Sequence, residues 1–164
     1  TSLSYVTGTD SSGRYVSFTV PRLQNWDMIY LDRSFTTPAS NRYEAELAVK
    51  TAVTTGTDHA GYTGTGFVDN FATTNSGVSF TVNAATAGNY NLIFRYGNGG
   101  SSATRIVAVD GNQVAVPTFG AQGTWDSWTT NTVPVTLTAG LHTVVIWRGA
   151  SQTGAINLDN LTLQ

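Results

Sequence analysis

The sequence predicts an all-β protein, an antiparallel β-sandwich, and three observations predict it. Short runs with period-two alternation recur along its 164 residues, as expected of strands with one buried face. Clusters of Gly, Asn and Asp interrupt these runs at turn spacing. No segment carries a sustained helical period with a cap in front of it. Many short strands spaced in this way pack as two sheets, face to face.

Residues 14–20 (RYVSFTV) set Tyr15, Ser17 and Thr19 against Val16, Phe18 and Val20. A turn-like Pro21-Arg22-Leu23-Gln24-Asn25 and an apolar run at 26–31 follow. Residues 77–82 (GVSFTV), 90–96 (YNLIFRY) and 105–109 (RIVAV) read as strands, as do 133–137, 141–147 and 156–163. Asp110-Gly111 between two alternating runs is a tight hairpin signal, and Thr138-Ala139-Gly140-Leu141 joins two more strands. A Pro/Ser/Thr/Asn stretch at 34–42 reads as a linker. Before it, residues 1–33 are too short for a domain; they read as the closing strands of a preceding β-domain or as extra edge strands. After it, residues 43–164 are enough for one sandwich with a full core.

Charged residues make up 11% of the chain, against about 25% in an average domain. Solubility therefore rests on Thr, Ser, Asn and Gly. The net charge is −2 and the few Lys and Arg are scattered, which excludes nucleic acid as a partner, because neutralising phosphates takes grouped cations. No apolar run reaches membrane length, so no membrane partner is expected. The absence of cysteine removes disulfides and thiolate metal sites. Low charge with abundant Thr, Asn, Gly and aromatics suits an extracellular polysaccharide-handling module, and a monomer is the default.

Two constellations carry chemistry. In Gly123-Thr124-Trp125-Asp126-Ser127-Trp128, two indoles stand three residues apart in a loop or strand end. An indole offers a flat face to the apolar C–H face of a pyranose, and core packing is the competing reading. If the segment is extended, Trp125 and Trp128 point to opposite sides, and one packs inward. In Tyr43-Glu44-Ala45-Glu46, a strand places both carboxylates on one face with Cβ atoms about 7 Å apart. Like charges so placed repel unless a cation joins them, and Asp159 supplies a third acid near the C-terminus. Three carboxylates with carbonyls from a Gly-rich loop would make an oxygen-only site suited to Ca²⁺; solvated glutamates on an exposed face are the alternative. No acid pair faces across a cleft and no nucleophile motif is present, so no catalytic residue is assigned.

The ordered motifs resemble carbohydrate-binding module family 35 and its relative family 6. The resemblance is carried by the Glu44–Glu46 pair, His59-Ala60-Gly61-Tyr62-Thr63-Gly64-Thr65-Gly66-Phe67-Val68, Gly77-Val78-Ser79-Phe80 and Ala87-Gly88-Asn89-Tyr90. Arg95-Tyr96-Gly97-Asn98-Gly99, the Trp125–Trp128 segment, Ala139-Gly140-Leu141-His142 and Ile156-Asn157-Leu158-Asp159-Asn160-Leu161 complete it. The resemblance implies a jelly-roll sandwich with a non-catalytic sugar-binding role. It further implies a structural calcium held by Glu44, Glu46 and Asp159 with carbonyls from the 62–66 loop. Carried over, the sugar site would involve Tyr62, Tyr96 or Asn98, Trp125 or Trp128, and Asn157. Uronic-acid-binding members set a basic residue against the sugar carboxylate. Here Arg95 and Arg105 fall in strand-like runs and no arginine adjoins the Trp pair in sequence, which points to an uncharged ligand. Residues 15–29 are similar to the region after the catalytic barrel of family 66 dextranases and cyclodextran-forming glucanotransferases. That similarity implies a secreted bacterial parent with a catalytic domain in cis, acting on dextran or isomalto-oligosaccharides. Galactan, mannan, xylan or uronic-acid ligands, or a purely structural linker role, remain the alternatives.

Overall fold

The structure, a computed structural model, describes residues 5–10, 13–18 and 41–164. The chain divides into two units, Thr1–Thr36 and Thr37–Gln164. In the first, β1 (Tyr5–Asp10) and β2 (Gly13–Phe18) form an antiparallel hairpin from Tyr5↔Phe18 to Asp10↔Gly13. The expected turn at 21–25, the apolar run at 26–31 and the linker up to residue 40 lie outside the described residues.

The second unit opens with β3 (Arg42–Glu44), a 3₁₀ turn (Ala45–Leu47), β4 (Val49–Thr51), β5 (Thr54–Gly56) and β6 (Phe67–Asp69). Then come β7 (Gly77–Ala84), β8 (Gly88–Gly97), β9 (Ala103–Thr104), β10 (Ile106–Val109), β11 (Asn112–Ala115) and β12 (Thr118–Phe119). The chain closes with β13 (Trp128–Leu137), β14 (Gly140–Trp147) and β15 (Asn157–Leu163). All pairings are antiparallel: a five-stranded sheet ordered β11-β10-β14-β7-β4 and a six-stranded sheet ordered β13-β8-β15-β6-β5, with β3 beside β15.

Alternation dictates what fills the space between the sheets. From the five-stranded sheet, Val78, Phe80, Val82, Val107, Val144 and Ile146 point inward; from the other come Leu92, Phe94, Tyr96, Val133, Leu158 and Leu161. The β10–β11 hairpin turns at Asp110 (φ 50°) and Gly111 (φ 81°), the left-handed pair that a two-residue primed turn requires.

Two local departures shape the functional end. The strand carrying Glu44 does not run on to Glu46: after Glu44 the chain enters the 3₁₀ turn, so the two acids do not share a strand face. In β15 the pairing with β8 steps from Leu158↔Tyr96 to Asn160↔Arg95. Asp159 is thus the extra residue of a β-bulge, which re-aims its side chain. Asp159 and Asn160 both reach the Thr63 side chain on the outer face, while Leu158 and Leu161 stay in the core.

Candidate functional site

The segment between β5 and β6 lies over the outer face of the six-stranded sheet and is held there by its own backbone. Ala60 N–H donates to Asp126 Oδ1 at 2.8 Å, and Ala60 C=O accepts from Trp128 Nε1 at 2.7 Å. Gly61 C=O accepts from Arg95 Nη2 at 2.9 Å. Thr63 N–H donates to Asp159 Oδ1 and Thr65 N–H to Glu46 Oε1, both at 2.8 Å. Gly61 (φ 89°) and Gly64 (φ 66°) take the left-handed conformations that let the chain follow this path. Underneath sits Phe67, fully buried yet outside the main core, against His59, Tyr62 and Trp128 at centroid distances of 5.8, 5.8 and 5.6 Å.

Glu44, Glu46 and Asp159 meet around this segment although they come from three separate elements. Thr63 Oγ1 donates to Glu44 Oε2 at 2.7 Å or to Asp159 Oδ2 at 3.0 Å. A Cβ added at Gly64 would lie 2.2 Å from Glu46 Oε1 and 3.1 Å from Glu44 Cδ. Arg42 pairs with Glu44 at 2.8 Å, and Arg95 forms an ion pair with the fully buried Asp159. Glu46 Oε2 is buried with no hydrogen-bond partner among the described residues. Among the described residues, no three His, Cys, Asp or Glu side chains form a metal centre by themselves. The oxygen-only donor set and the orphaned carboxylate oxygen fit a hard cation completed by loop oxygens.

The Trp pair divides by role. Trp128 begins β13, level with Gly97 and Asn157 on one rung of the sheet. Its N–H is committed to Ala60, Phe67 packs on it, and the Arg95 guanidinium carbon lies 5.2 Å from its ring centroid. It anchors the 57–66 segment. Trp125 lies in the preceding turn, half-buried, against Gly99, where a Cβ would sit 2.6 Å from Cδ1, and 6.2 Å from His59. His59 Nδ1 is 3.3 Å from Asp126 Oδ1. Tyr62 is half-buried at the same end.

Three expected assignments change. Tyr96 is a core residue, edge-on to Phe119 at 4.8 Å, with its hydroxyl donating to Gly120 C=O. Asn98 is fully buried; its amide donates to Ser101 and Phe119 carbonyls and its Oδ1 accepts from Gly100 N–H. Both shape the loop from below and leave nothing for a ligand. An arginine does adjoin the Trp pair: Arg95 lies against Trp128, but Asp159 and Gly61 hold its guanidinium. Asn157, by contrast, keeps a side chain with no hydrogen-bond partner among the described residues, beside the bare backbone of Gly97. Arg105 is fully buried between β9 and β10, bonded to the carbonyls of Thr104, Thr153 and Gly154; burial first, and Arg148 second, push its pKa down to about 10.

The sequence assigns no working part to Arg95 or Thr63. A signal existed for the first: in YNLIFRY, Leu92, Phe94 and Tyr96 share one parity, which puts Arg95 on the opposite face with nothing apolar to meet.

A sandwich with an aromatic loop end, and with its buried acids bound to its own loop, defines a non-catalytic binding module. The model of carbohydrate binding module family 35 matches residues 41–164. A cycloisomaltooligosaccharide glucanotransferase of Niallia circulans is 52% identical over 161 residues, which cover 98% of this chain and 17% of that enzyme. The crystal structure of a Paenibacillus sp. cycloisomaltooligosaccharide glucanotransferase complexed with cycloisomaltoheptaose superposes with a TM-score of 0.71 at 43% identity. That match covers 74% of this chain and 18% of that one. The isolated family 35 module of Paenibacillus barcinonensis superposes with a TM-score of 0.69 at 32% identity, over 75% of this chain and 97% of that one. The chain belongs to carbohydrate-binding module family 35.

Proposed function

We propose that the module binds α-1,6-glucan, as dextran or isomalto-oligosaccharide, and presents it to a catalytic domain in the same polypeptide. The observation that carries this reading is Trp125: a half-buried indole seated on Gly99 and beside His59, at an end of the sandwich that also offers Tyr62. An aromatic ring so placed can take the C–H face of a glucose ring, and the unpartnered Asn157 amide supplies both donor and acceptor for adjacent hydroxyls. With Arg95 committed to Asp159, a neutral sugar suits the site better than an acidic one. The linkage preference is supported by relatives named for cycloisomaltooligosaccharides. Tethering such a site to an enzyme raises the local concentration of polymer, so a weak site suffices. A polymeric glucan is met outside the cell, so the parent protein is proposed to be secreted.

Calcium is part of the same proposal. Glu44, Glu46 and Asp159 would hold it with oxygens of the 62–66 loop. The ion would neutralise the acids and cross-link the 3₁₀ turn, the loop and β15.

The test is affinity electrophoresis through gels containing dextran. The wild-type chain should be retarded, and Trp125→Ala should weaken binding by about 2 kcal/mol, roughly thirtyfold. Unretarded wild-type migration would reject the α-glucan assignment. Retardation unchanged by Trp125→Ala would reject the platform.

A further inference from the structure

We propose a second glycan site on the outer face of the five-stranded sheet, centred on Trp147; its ligand class rests on the α-glucan reading above. Trp147 ends β14, in which Val144 and Ile146 point into the core. Alternation therefore turns Val145 and Trp147 to the opposite, outer face. Register places two rungs of side chains there. One runs Thr51, Gly77, Trp147, Ile106; the next runs Val49, Ser79, Val145, Ala108.

Gly77 is the decisive position. It pairs with Trp147 on one side and Thr51 on the other, and its lack of a side chain lets β7 and β14 approach closely beside the indole. A Cβ there would sit 2.6 Å from Trp147 Cβ. With Ser79 and Ala108 as small neighbours, the result is an open hollow of about 310 Å³, at the low end of the ~300–1,000 Å³ typical of small-ligand sites. Asn75 reaches its edge from a left-handed turn (φ 68°) fixed by its N–H bond to Arg148 C=O at 2.7 Å.

The lining sets the ligand chemistry. None of it is charged, so an ionic ligand would lose hydration without gaining a counter-charge. The hydroxyls of Thr51 and Ser79 and the amide of Asn75 have no hydrogen-bond partner among the described residues. An indole flanked by free hydroxyls and an amide, with no charge, matches a neutral pyranose: ring C–H bonds on the aromatic face, hydroxyls on the polar edge. Two sites on different parts of one module would grip a long glucan by avidity while binding short oligosaccharides weakly.

The experiment is an NMR titration of the full chain with isomaltotriose, following the indole N–H resonances, with calorimetric stoichiometry alongside. Saturable shifts of both Trp125 and Trp147 and two sites per chain are expected. The Trp147 shift should persist in Trp125→Ala, and Trp147→Ala should cut retention on dextran about tenfold or more. Ser79→Leu, on the open face, fills the hollow without entering the core. It should abolish the Trp147 shift with the fold intact. One site per chain with Trp147 unmoved would overturn the second site and leave the loop site standing. A moving Trp147 with a silent Trp125 would keep the hollow and reject the loop platform. Silence of both would reject the α-glucan reading and this inference together.

Discussion

The outer faces of the two sheets are treated in opposite ways. The face of the six-stranded sheet is covered: residues 57–66 lie across it, and Arg95, Trp128, Asp159 and Glu46 hold their backbone. The face of the five-stranded sheet shows Trp147 half-buried and Val49 and Leu141 70% and 73% exposed. Each face carries a tryptophan at the end of a long strand, so aromatic content does not separate them. Buried charge does. Around Trp128 an arginine and a bulged aspartate can reach loop backbone; around Trp147 the side chains are small and neutral. The same residue type becomes an anchor in one setting and an open surface in the other.

The sharpest way to break this contrast is to remove the arginine. Arg95→Met leaves the Asp159 carboxylate fully buried without its cation and Gly61 C=O without its donor. Leaving one member of a buried pair alone costs about 3 kcal/mol. Trp147→Thr on the bare face should cost about 1 kcal/mol or less, as for a surface site away from caps and ion pairs. Urea denaturation followed by circular dichroism measures both. Equal midpoints for the two variants would remove the distinction between a pinned face and a free one.

Calcium sharpens the comparison, because its proposed ligands all belong to the covered face. At a hundred times its dissociation constant, an ion bound only by the folded state adds about 2.7 kcal/mol. The melting temperature should rise with calcium and fall with chelator, and Glu46→Gln should blunt the response. The orphaned Glu46 Oε2 is the atom on which that expectation turns. A melting temperature indifferent to both additions would remove the ion from the proposal.

The long strands were legible because each has enough residues to show its alternation: Val78, Phe80 and Val82 in β7, or Leu92, Phe94 and Tyr96 in β8. The three-residue strands β3 to β6 have no room for a pattern and are defined by their neighbours. Parity also carries information about the site. It places Tyr96 inward with Leu92, away from any ligand. The spacing of Leu158, Leu161 and Leu163 breaks period two at the bulge. What no local pattern could show is the convergence of Glu44, Glu46 and Asp159 on Thr63 and Thr65. Contacts such as Thr63 to Asp159 span 96 positions and depend on the closed sandwich.

The smallest expected effect concerns a tight histidine–aspartate contact of the five-stranded sheet, which lies at a hairpin and not on its open face. His142 Nδ1 is 2.7 Å from Asp110 Oδ2, and His142 Nε2 is 2.9 Å from Thr138 C=O. Both partners are acceptors, so the ring satisfies them fully only when both nitrogens carry protons. The Asp110 bond, then the Thr138 carbonyl, raise the His142 pKa above its ordinary 6.5. The His142 bond, then the Thr143 N–H, lower that of Asp110 below its ordinary 3.8. The histidine contribution to stability is complete below pH 6.5 and fades as pH rises through the raised value; the aspartate contribution is present above pH 3.8 and fades as pH falls through the lowered one. The clasp is therefore strongest between those limits. Melting temperatures recorded from pH 5 to 9 should decline more in the wild-type chain than in His142→Gln, with a steeper difference above neutrality. Parallel curves would show that the imidazolium adds nothing, and that the charge which matters in this fold lies beneath residues 57–66.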